Sequence, residues 1–481
     1  MNKYIGITIG PIFKTINLTS SPVSLWASSY IFSLLSKTIC EKLVDNGVDE
    51  KNIVTPYYEK GNSLIDINNG VGLFPDHIIF DAEGYDITNI NNVKNDAISV
   101  IAEQFSVSEE YLKKYIMISA VEFEAENPIA ESGKIFDSLE LATPFVAEEE
   151  SNPILSLFTG DEMSKNSSLK GVPVITNLTE FQLKKTNKTF KSIEDIVGTG
   201  KEYKKYKYYA IVRSDGDNMG KIISGLTDTR EFSKTCLQYC LDIAKLVSEF
   251  DGVTIYSGGD DLLAILPCES RAGESVFSFV KKANNVFAKH FEKYNQPTSL
   301  SFGITIAYYK FSLYEVLEDS ANLLFDVAKK DEKNRLAIRL QKHAGQSEGL
   351  VVPNSRLQDI IELMDTVKSG KQKASDDNDK VFLSAIHKIA MFEKAFNGAE
   401  NQAEIENLFK NTFDGSEHTD NTFLHEKLPE FLMKLKEENS VKAISDNGII
   451  ENNPALTICY VLRILKFFFE KGGEEQWKHF L

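Results

Sequence analysis

Cysteine is scarce in this chain of 481 residues, and poorly placed for chemistry. The five cysteines (Cys40, Cys236, Cys240, Cys268, Cys459) are odd in number and form no C-x-x-C pair. That excludes the usual zinc ribbon and a disulfide framework, and it fits a reducing cytoplasm. Cys236 and Cys240 share a face of a predicted helix and read as core. Long apolar runs are missing too: none reaches the ~18 residues of a membrane span. Met1-Asn2-Lys3-Tyr4-Ile5 moves directly into a strand-like run, without the regions of a signal peptide. Positive charge is outweighed as well. Against 70 Asp and Glu stand 53 Lys and Arg, for a net charge of −17. Broad, sequence-blind binding of nucleic acid over the whole surface is thereby excluded, while a local basic groove is not. The candidate groove is Lys184, Lys185, Lys188, Lys191, Lys201, Lys204, Lys205 and Lys207. A solvated linker is its simpler reading and a phosphate contact its functional one.

What is present is an ordinary globular composition, 42% hydrophobic and 26% charged, with room for roughly three domains. Hydrophobic periodicity divides the chain into four stretches. Residues 1–125 read strand, helix, strand, strand, helix, strand. Residues 126–205 are an irregular, partly helical connector. Residues 206–345 repeat the first order, and residues 346–481 carry the pattern of a helical bundle. The repeated order is that of a ferredoxin-like unit. The expected architecture is therefore α+β: two ferredoxin-like domains followed by a helical C-terminal domain.

The chemistry concentrates at two acidic turns in the second unit. Ser214-Asp215-Gly216-Asp217-Asn218 ends its first strand, and Ser257-Gly258-Gly259-Asp260-Asp261 lies between two apolar runs. In a ferredoxin-like sheet the first and third strands are antiparallel neighbours. Asp215 is thereby expected beside Asp260 and Asp261. Clustered carboxylates raise one another's pKa and call for cations. An all-oxygen set suits Mg²⁺ or Mn²⁺, and two such ions activate a hydroxyl and stabilise a leaving oxygen. Gly258 and Gly259 fit a tight turn that lets phosphates approach the backbone. Asp217, Asn218, Ser257, Gly258 and Gly259 are the expected nucleotide contacts. Lys329 and Lys333, four apart on a predicted helix, are the expected triphosphate contacts.

Asp215-Gly216-Asp217-Asn218-Met219-Gly220, the GGDD turn and Phe302-Gly303-Ile304-Thr305-Ile306-Ala307 resemble the large palm-domain subunit of type III CRISPR effector complexes. Ile5-Gly6-Ile7-Thr8-Ile9-Gly10-Pro11 and Leu25-Trp26-Ala27-Ser28-Ser29-Tyr30 resemble its Cmr-type (III-B) branch. The resemblance implies two facing palm domains, with acids on the second alone. It implies ATP as substrate and a nucleotide second messenger made when the complex binds foreign RNA. It also implies other complex subunits, guide RNA and target RNA as partners. Asp215, Asp260 and Asp261 would carry the metals, assisted by the backbone of Gly216. The product is expected to be cyclic oligoadenylate or an AMP conjugate of S-adenosylmethionine. None of the seven histidines is followed by Asp, so no HD nuclease centre is expected. The cysteine set does not build the family's usual zinc site. Two alternatives stay open: a non-catalytic scaffold of the same complex, and a free-standing cyclase of the GGDEF kind.

Overall fold

The computed structural model describes residues 2–19, 21–65, 70–105, 108–142, 154, 178, 182, 190, 192–197, 204–330, 332–343, 345–370, 378–414, 422–437 and 440–470. Two sheets organise these residues. The first contains β1 (Asn2–Gly10), β2 (Ile53–Thr55), β3 (His77–Asp81) and β4 (Met117–Ala125) in the order β2-β3-β1-β4. Helix α1 (Pro22–Asp45) follows β1, and α2 (Ile90–Phe105) precedes β4. Ser21 and Ser24 form a capping box at the start of α1 and Pro22 takes its first position, so the chain turns sharply into the helix. Helix α3 (Pro128–Ala142) then packs back on β4 and β1.

The second sheet has the same core. β5 (Tyr208–Asp217), β6 (Val253–Gly258), β7 (Asp261–Pro267) and β8 (Ser299–Tyr308) stand in the order β8-β5-β7-β6. Both cores thus read fourth, first, third, second, the ferredoxin-like order. Helices α4 (Thr229–Glu249) and α5 (Val276–Phe291) are strongly amphipathic and bury Tyr239, Cys240, Phe277 and Phe287. Helix α6 (Leu313–Asn322) runs into a π-helical turn, Leu323–Ala328, that packs on β8.

The C-terminal region is rich in helix, ending in α7 (Pro454–Phe469), and it also contributes strands. β9 (Arg335–Gln341) pairs parallel to β8, and β10 (Ser347–Pro353), β11 (Lys442–Ser445) and β12 (Gly448–Ile450) extend the second sheet to eight strands. Helical periodicity hides these short strands, because two of them are only three or four residues long.

A clasp joins the two sheets. Arg230, on the first turn of α4, donates to the carbonyls of Glu50 (2.6 Å), Ile53 (2.8 Å) and Tyr58 (2.9 Å) and lies over the Tyr57 ring. The backbone N–H of Ser257 donates to the carbonyl of Gly72 at 3.1 Å. Among the described residues no helix is long and apolar enough to cross a membrane. Lys205 is buried in an ion pair with Glu269 at 2.7 Å, so it belongs to the interior rather than to a basic groove. Of the other lysines in that run, Lys184, Lys185, Lys188, Lys191 and Lys201 lie outside the described residues.

Candidate active site

β5 pairs antiparallel with β7, Ser214 facing Leu262, so Asp215 comes beside the turn that carries Asp260 and Asp261. Gly216 makes this convergence possible. A Cβ there would lie 2.5 Å from Asp260 Oδ2 and 2.7 Å from Met219 Cγ. The peptide of Gly216 and the Asp260 carboxylate therefore occupy one small volume. Gly259 takes φ +66°, which turns the chain between β6 and β7. At Gly258 a Cβ would meet the Tyr256 hydroxyl at 2.2 Å. Cys240 of α4 lies under the turn, its Sγ 3.5 Å from the Gly259 carbonyl.

The electrostatics are those of an acid cluster short of positive charge. Burial, followed by repulsion from Asp215, raises Asp260 to about 7. Asp261 is exposed at the mouth of a cavity. Displacement of water from its carboxylate, then the charges of Asp260 and Asp215, push its pKa well up. Lys329 is the one ammonium drawn into the cluster among the described residues. Its Nζ pairs with Asp215 and donates to the Gly216 carbonyl at 3.0 Å. The three carboxylates do not bring ligand atoms within 4.8 Å of one another. Asp260 and Asp261 line different cavities, so these acids and the Gly216 carbonyl offer hard oxygen donors of the type Mg²⁺ or Mn²⁺ takes, spread across the turn.

Other expected contacts land elsewhere. Asp217 is fully buried and holds the loop together: it accepts from Ser299 Oγ (2.7 Å), Ser301 Oγ (2.9 Å) and the Asn334 N–H (2.9 Å). Ser257 is also fully buried, with its N–H used by Gly72. Asn218 stands in the left-handed region at φ 59°, its amide donating to the Pro297 carbonyl at 3.3 Å. The predicted helix through Lys329 and Lys333 stops at Ala328, and Lys333 has φ 53°. The two lysines therefore do not share a helix face. Lys329 reaches the acids because the π-helical turn delivers it there.

Two cavities flank the turn. One, of about 320 Å³, is lined by Asp260, Gly259, Met219, Phe232, Ser233 and Cys236 with Tyr57, His77 and Phe136 from the first unit. The other, of about 630 Å³, lies between the sheets and is lined by Asp261, Arg213, Tyr256 and Phe325 on one side and Thr8, Ser29 and Asp76 on the other. The sequence pattern did not single out Arg213, Tyr256 or Asp76, which are meaningful only once the sheets face each other. Asp76, His77 and Glu140 bring ligand atoms within 4.8 Å of one another at the matching corner of the first sheet. There Glu140 already accepts from Thr8 Oγ1 (3.0 Å) and lies 3.1 Å from His77 Nε2, while His77 stacks on Phe136.

Residues 208–337 match the family model for the second palm domain of Cas10/Cmr2, and residues 4–121 match that for the N-terminal part of CRISPR-associated protein Cmr2. The CRISPR system Cmr subunit Cmr2 of Pyrococcus furiosus is 35% identical over 170 residues, a match that spans 29% of this chain and 19% of that relative. Among solved structures, a chain of the type III-B Cmr-beta complex in its apo state aligns over 97% of this chain and 81% of its own length, with TM-score 0.58 and 13% identity. A chain of the Csm1–Csm4 cassette in complex with cA4 aligns over 97% and 70%, with TM-score 0.56 and 12% identity. The same cassette has also been solved with AMPPNP, with TM-score 0.55 and 13% identity. At these identities the likeness is one of fold.

Proposed function

The chain belongs to the Cas10/Cmr2 family of CRISPR proteins, and from that premise we propose that it is an ATP-using nucleotidyltransferase within a type III-B effector complex. Its product is a nucleotide second messenger, made when target RNA is bound. The observation that carries this reading is the placing of Asp215 and Asp260 at Gly216 and of Asp261 on the other side of the same turn, with a cavity on each side. A nucleotidyl transfer needs two organic substrates at one phosphorus, and two cavities meeting at one acid cluster answer that need. The cavity on the Asp260 side is walled by Met219, Phe232 and Cys236 and suits a nucleobase. The structurally similar cassettes in complex with cA4 and with AMPPNP support adenine nucleotides as its contents.

In the proposed reaction a hydroxyl oxygen of the acceptor forms a bond to the α-phosphorus of ATP. The bond from that phosphorus to the α–β bridging oxygen breaks, and pyrophosphate leaves with the electron pair. The hydroxyl proton is released to water. Asp215, Asp260, Asp261 and the Gly216 carbonyl would hold divalent cations, which lower the pKa of the attacking hydroxyl and neutralise the leaving oxygens. Lys329, already at the Gly216 carbonyl, moves its ammonium onto phosphate once cations occupy the acids. Arg230 and the Ser257–Gly72 bond keep the two sheets in register, so that the acceptor is presented in line.

The acceptor is either a second ATP, which leads to oligoadenylate, or S-adenosylmethionine, which gives an AMP conjugate. The partners under this reading are the other subunits of the complex, guide RNA and target RNA; the similar type III-B Cmr-beta complex has been solved bound to cognate target RNA. The test is pyrophosphate release by the assembled complex from ATP, Mg²⁺ and target RNA, with products weighed by mass spectrometry with and without S-adenosylmethionine. Release that depends on target RNA is expected. No release under any of these conditions would leave the scaffold reading in its place.

A further inference from the structure

The cavity between the two sheets is lined by a largely enclosed cation, Arg213, that makes no ion pair with any described residue. Arg213 lies on β5 two residues before Asp215, so both side chains leave the same face of the strand. Its cross-strand neighbour on β8 is Gly303, where a Cβ would lie 2.2 Å from the Ser320 carbonyl. The missing side chain lets α6 close on the sheet and brings Ser320 to the guanidinium. Arg213 Nε donates to Ser320 Oγ at 3.2 Å, and Ser320, fully buried, donates in turn to the Leu317 carbonyl at 2.8 Å. One edge of the guanidinium is thereby fixed.

Among the described residues, no carboxylate comes within ion-pair distance of Arg213, and the bond to Ser320 is its one side-chain hydrogen bond. Keeping an unpaired guanidinium out of water is costly, and the cost is offset when an anion takes the open edge. Arg213 lines the cavity of about 630 Å³ next to Asp261, on the side away from the apolar cavity assigned to the donor base. Its fork geometry matches the two oxygens of a phosphate or a carboxylate. The opposite wall of the same cavity carries Asp76 and Glu140 together with Lys14, and Arg213 is the cation on the wall that also carries Asp261.

We propose that Arg213 is a positioning residue for the acceptor, holding an oxyanion of that molecule so that its hydroxyl faces the acid cluster. This rests on the nucleotidyltransferase reading for the identity of the acceptor. The oxyanion is a phosphate if the acceptor is ATP and the methionyl carboxylate if it is S-adenosylmethionine.

The experiment is calorimetric titration of the assembled complex with ATP, with S-adenosylmethionine and with adenosine in Mg²⁺, for wild type, Arg213→Gln and Arg213→Lys. One charge-assisted pair corresponds to about a tenfold to hundredfold change in affinity. Arg213→Gln is expected to weaken one of two ATP sites, or the S-adenosylmethionine site, by that factor, and to leave adenosine within about twofold. Which arm moves identifies the oxyanion. Arg213→Lys, which keeps the charge and loses the fork, should fall between the two. It also carries the test if the Gln variant does not assemble. Wild-type affinities in both variants for ATP and S-adenosylmethionine would overturn the proposal. So would equal losses for adenosine, or a wild type that binds neither a second ATP nor S-adenosylmethionine. Absence of pyrophosphate release with Arg213-dependent binding intact would instead remove the catalytic reading and leave this one standing.

Discussion

In the second sheet β5 carries Asp215 near its end, and the turn into β7 supplies Asp260 and Asp261; in the first sheet β1 ends in Gly10, followed by Pro11, and Asp76 and His77 stand at the start of β3. The strand order is the same in both. Each topology therefore brings the end of its first strand beside the start of its third, and each corner contains acids. What differs is how the acids are satisfied. In the first sheet Glu140 is hydrogen-bonded to Thr8 and His77, and the imidazole is stacked on Phe136. In the second, burial and mutual repulsion raise the pKa of Asp260 and Asp261. Burial raises that of Asp76 in the first as well, where Asp76, His77 and Glu140 lie within 4.8 Å of one another. The fold supplies an acidic corner twice, and what separates the two is the pair of adjacent acids and the ammonium of Lys329 in the second.

The comparison is broken most severely by removing the second corner's acids. Asp260→Ala with Asp261→Ala should lower product formation by at least about a thousandfold while the complex still assembles. Product measured by mass spectrometry and assembly by gel filtration check this together. Loss of assembly would mean that the acids hold structure as well as cations.

Next in size are the glycines at the two corners. Gly216→Ala places a methyl group against Asp260 Oδ2 and Met219, so turnover should fall about tenfold to a hundredfold with stability within ~1 kcal/mol of wild type. Gly10→Ala meets nothing within 4 Å. It should leave metal affinity and melting temperature unchanged. Equal losses at the two positions would erase the asymmetry.

The clasp between the sheets comes third. Arg230→Ala removes three bonds to carbonyls and the contact with Tyr57, a loss of about 3 kcal/mol. Hydrogen exchange should show the loss as faster exchange along β2 and the start of α4. The first and third units would otherwise keep their protection.

The smallest effect is one of pH. The Asp260 carboxyl rises from 3.8 to about 7, so the folded chain binds more protons than the unfolded chain between those values. Without metal, stability should therefore fall as pH rises from about 4 to 7. Mn²⁺ must displace that proton, so its apparent affinity should climb about tenfold per pH unit below 7 and level off above. Asp260→Asn should flatten both curves. A metal affinity independent of pH from 6 to 8 in the wild type would contradict the assignment.

Much of this was legible in the sequence, for physical reasons. Alternating apolar runs fix strands, and strand order in a ferredoxin-like unit fixes which ends meet, so the end of β5 with Asp215 is legible beside the turn that carries Asp260 and Asp261. The residues that sequence misplaced depend on burial or on helix geometry. Asp217 and Ser257 sit in motifs that suggest ligand contact, yet both are fully buried and spend their polar groups on internal bonds. Lys329 and Lys333 have helical spacing, but the helix ends in a π-helical turn at Ala328, before either of them. Arg213 and Asp76 gain meaning only from the cavity between two sheets, a contact across 137 positions of chain that no local period encodes. The strands β11 and β12 are four and three residues long and lie among helices, at or below the length at which alternation is readable, while β10 is buried along its middle and shows no alternation.

The central claim is that cations gather at one corner and not at the other. Electron paramagnetic resonance of the assembled complex titrated with Mn²⁺ tests it directly. The account predicts two ions coupled magnetically at a separation of about 4 Å, both lost in Asp260→Ala with Asp261→Ala. Two uncoupled ions, or ions that survive that double substitution, would contradict it.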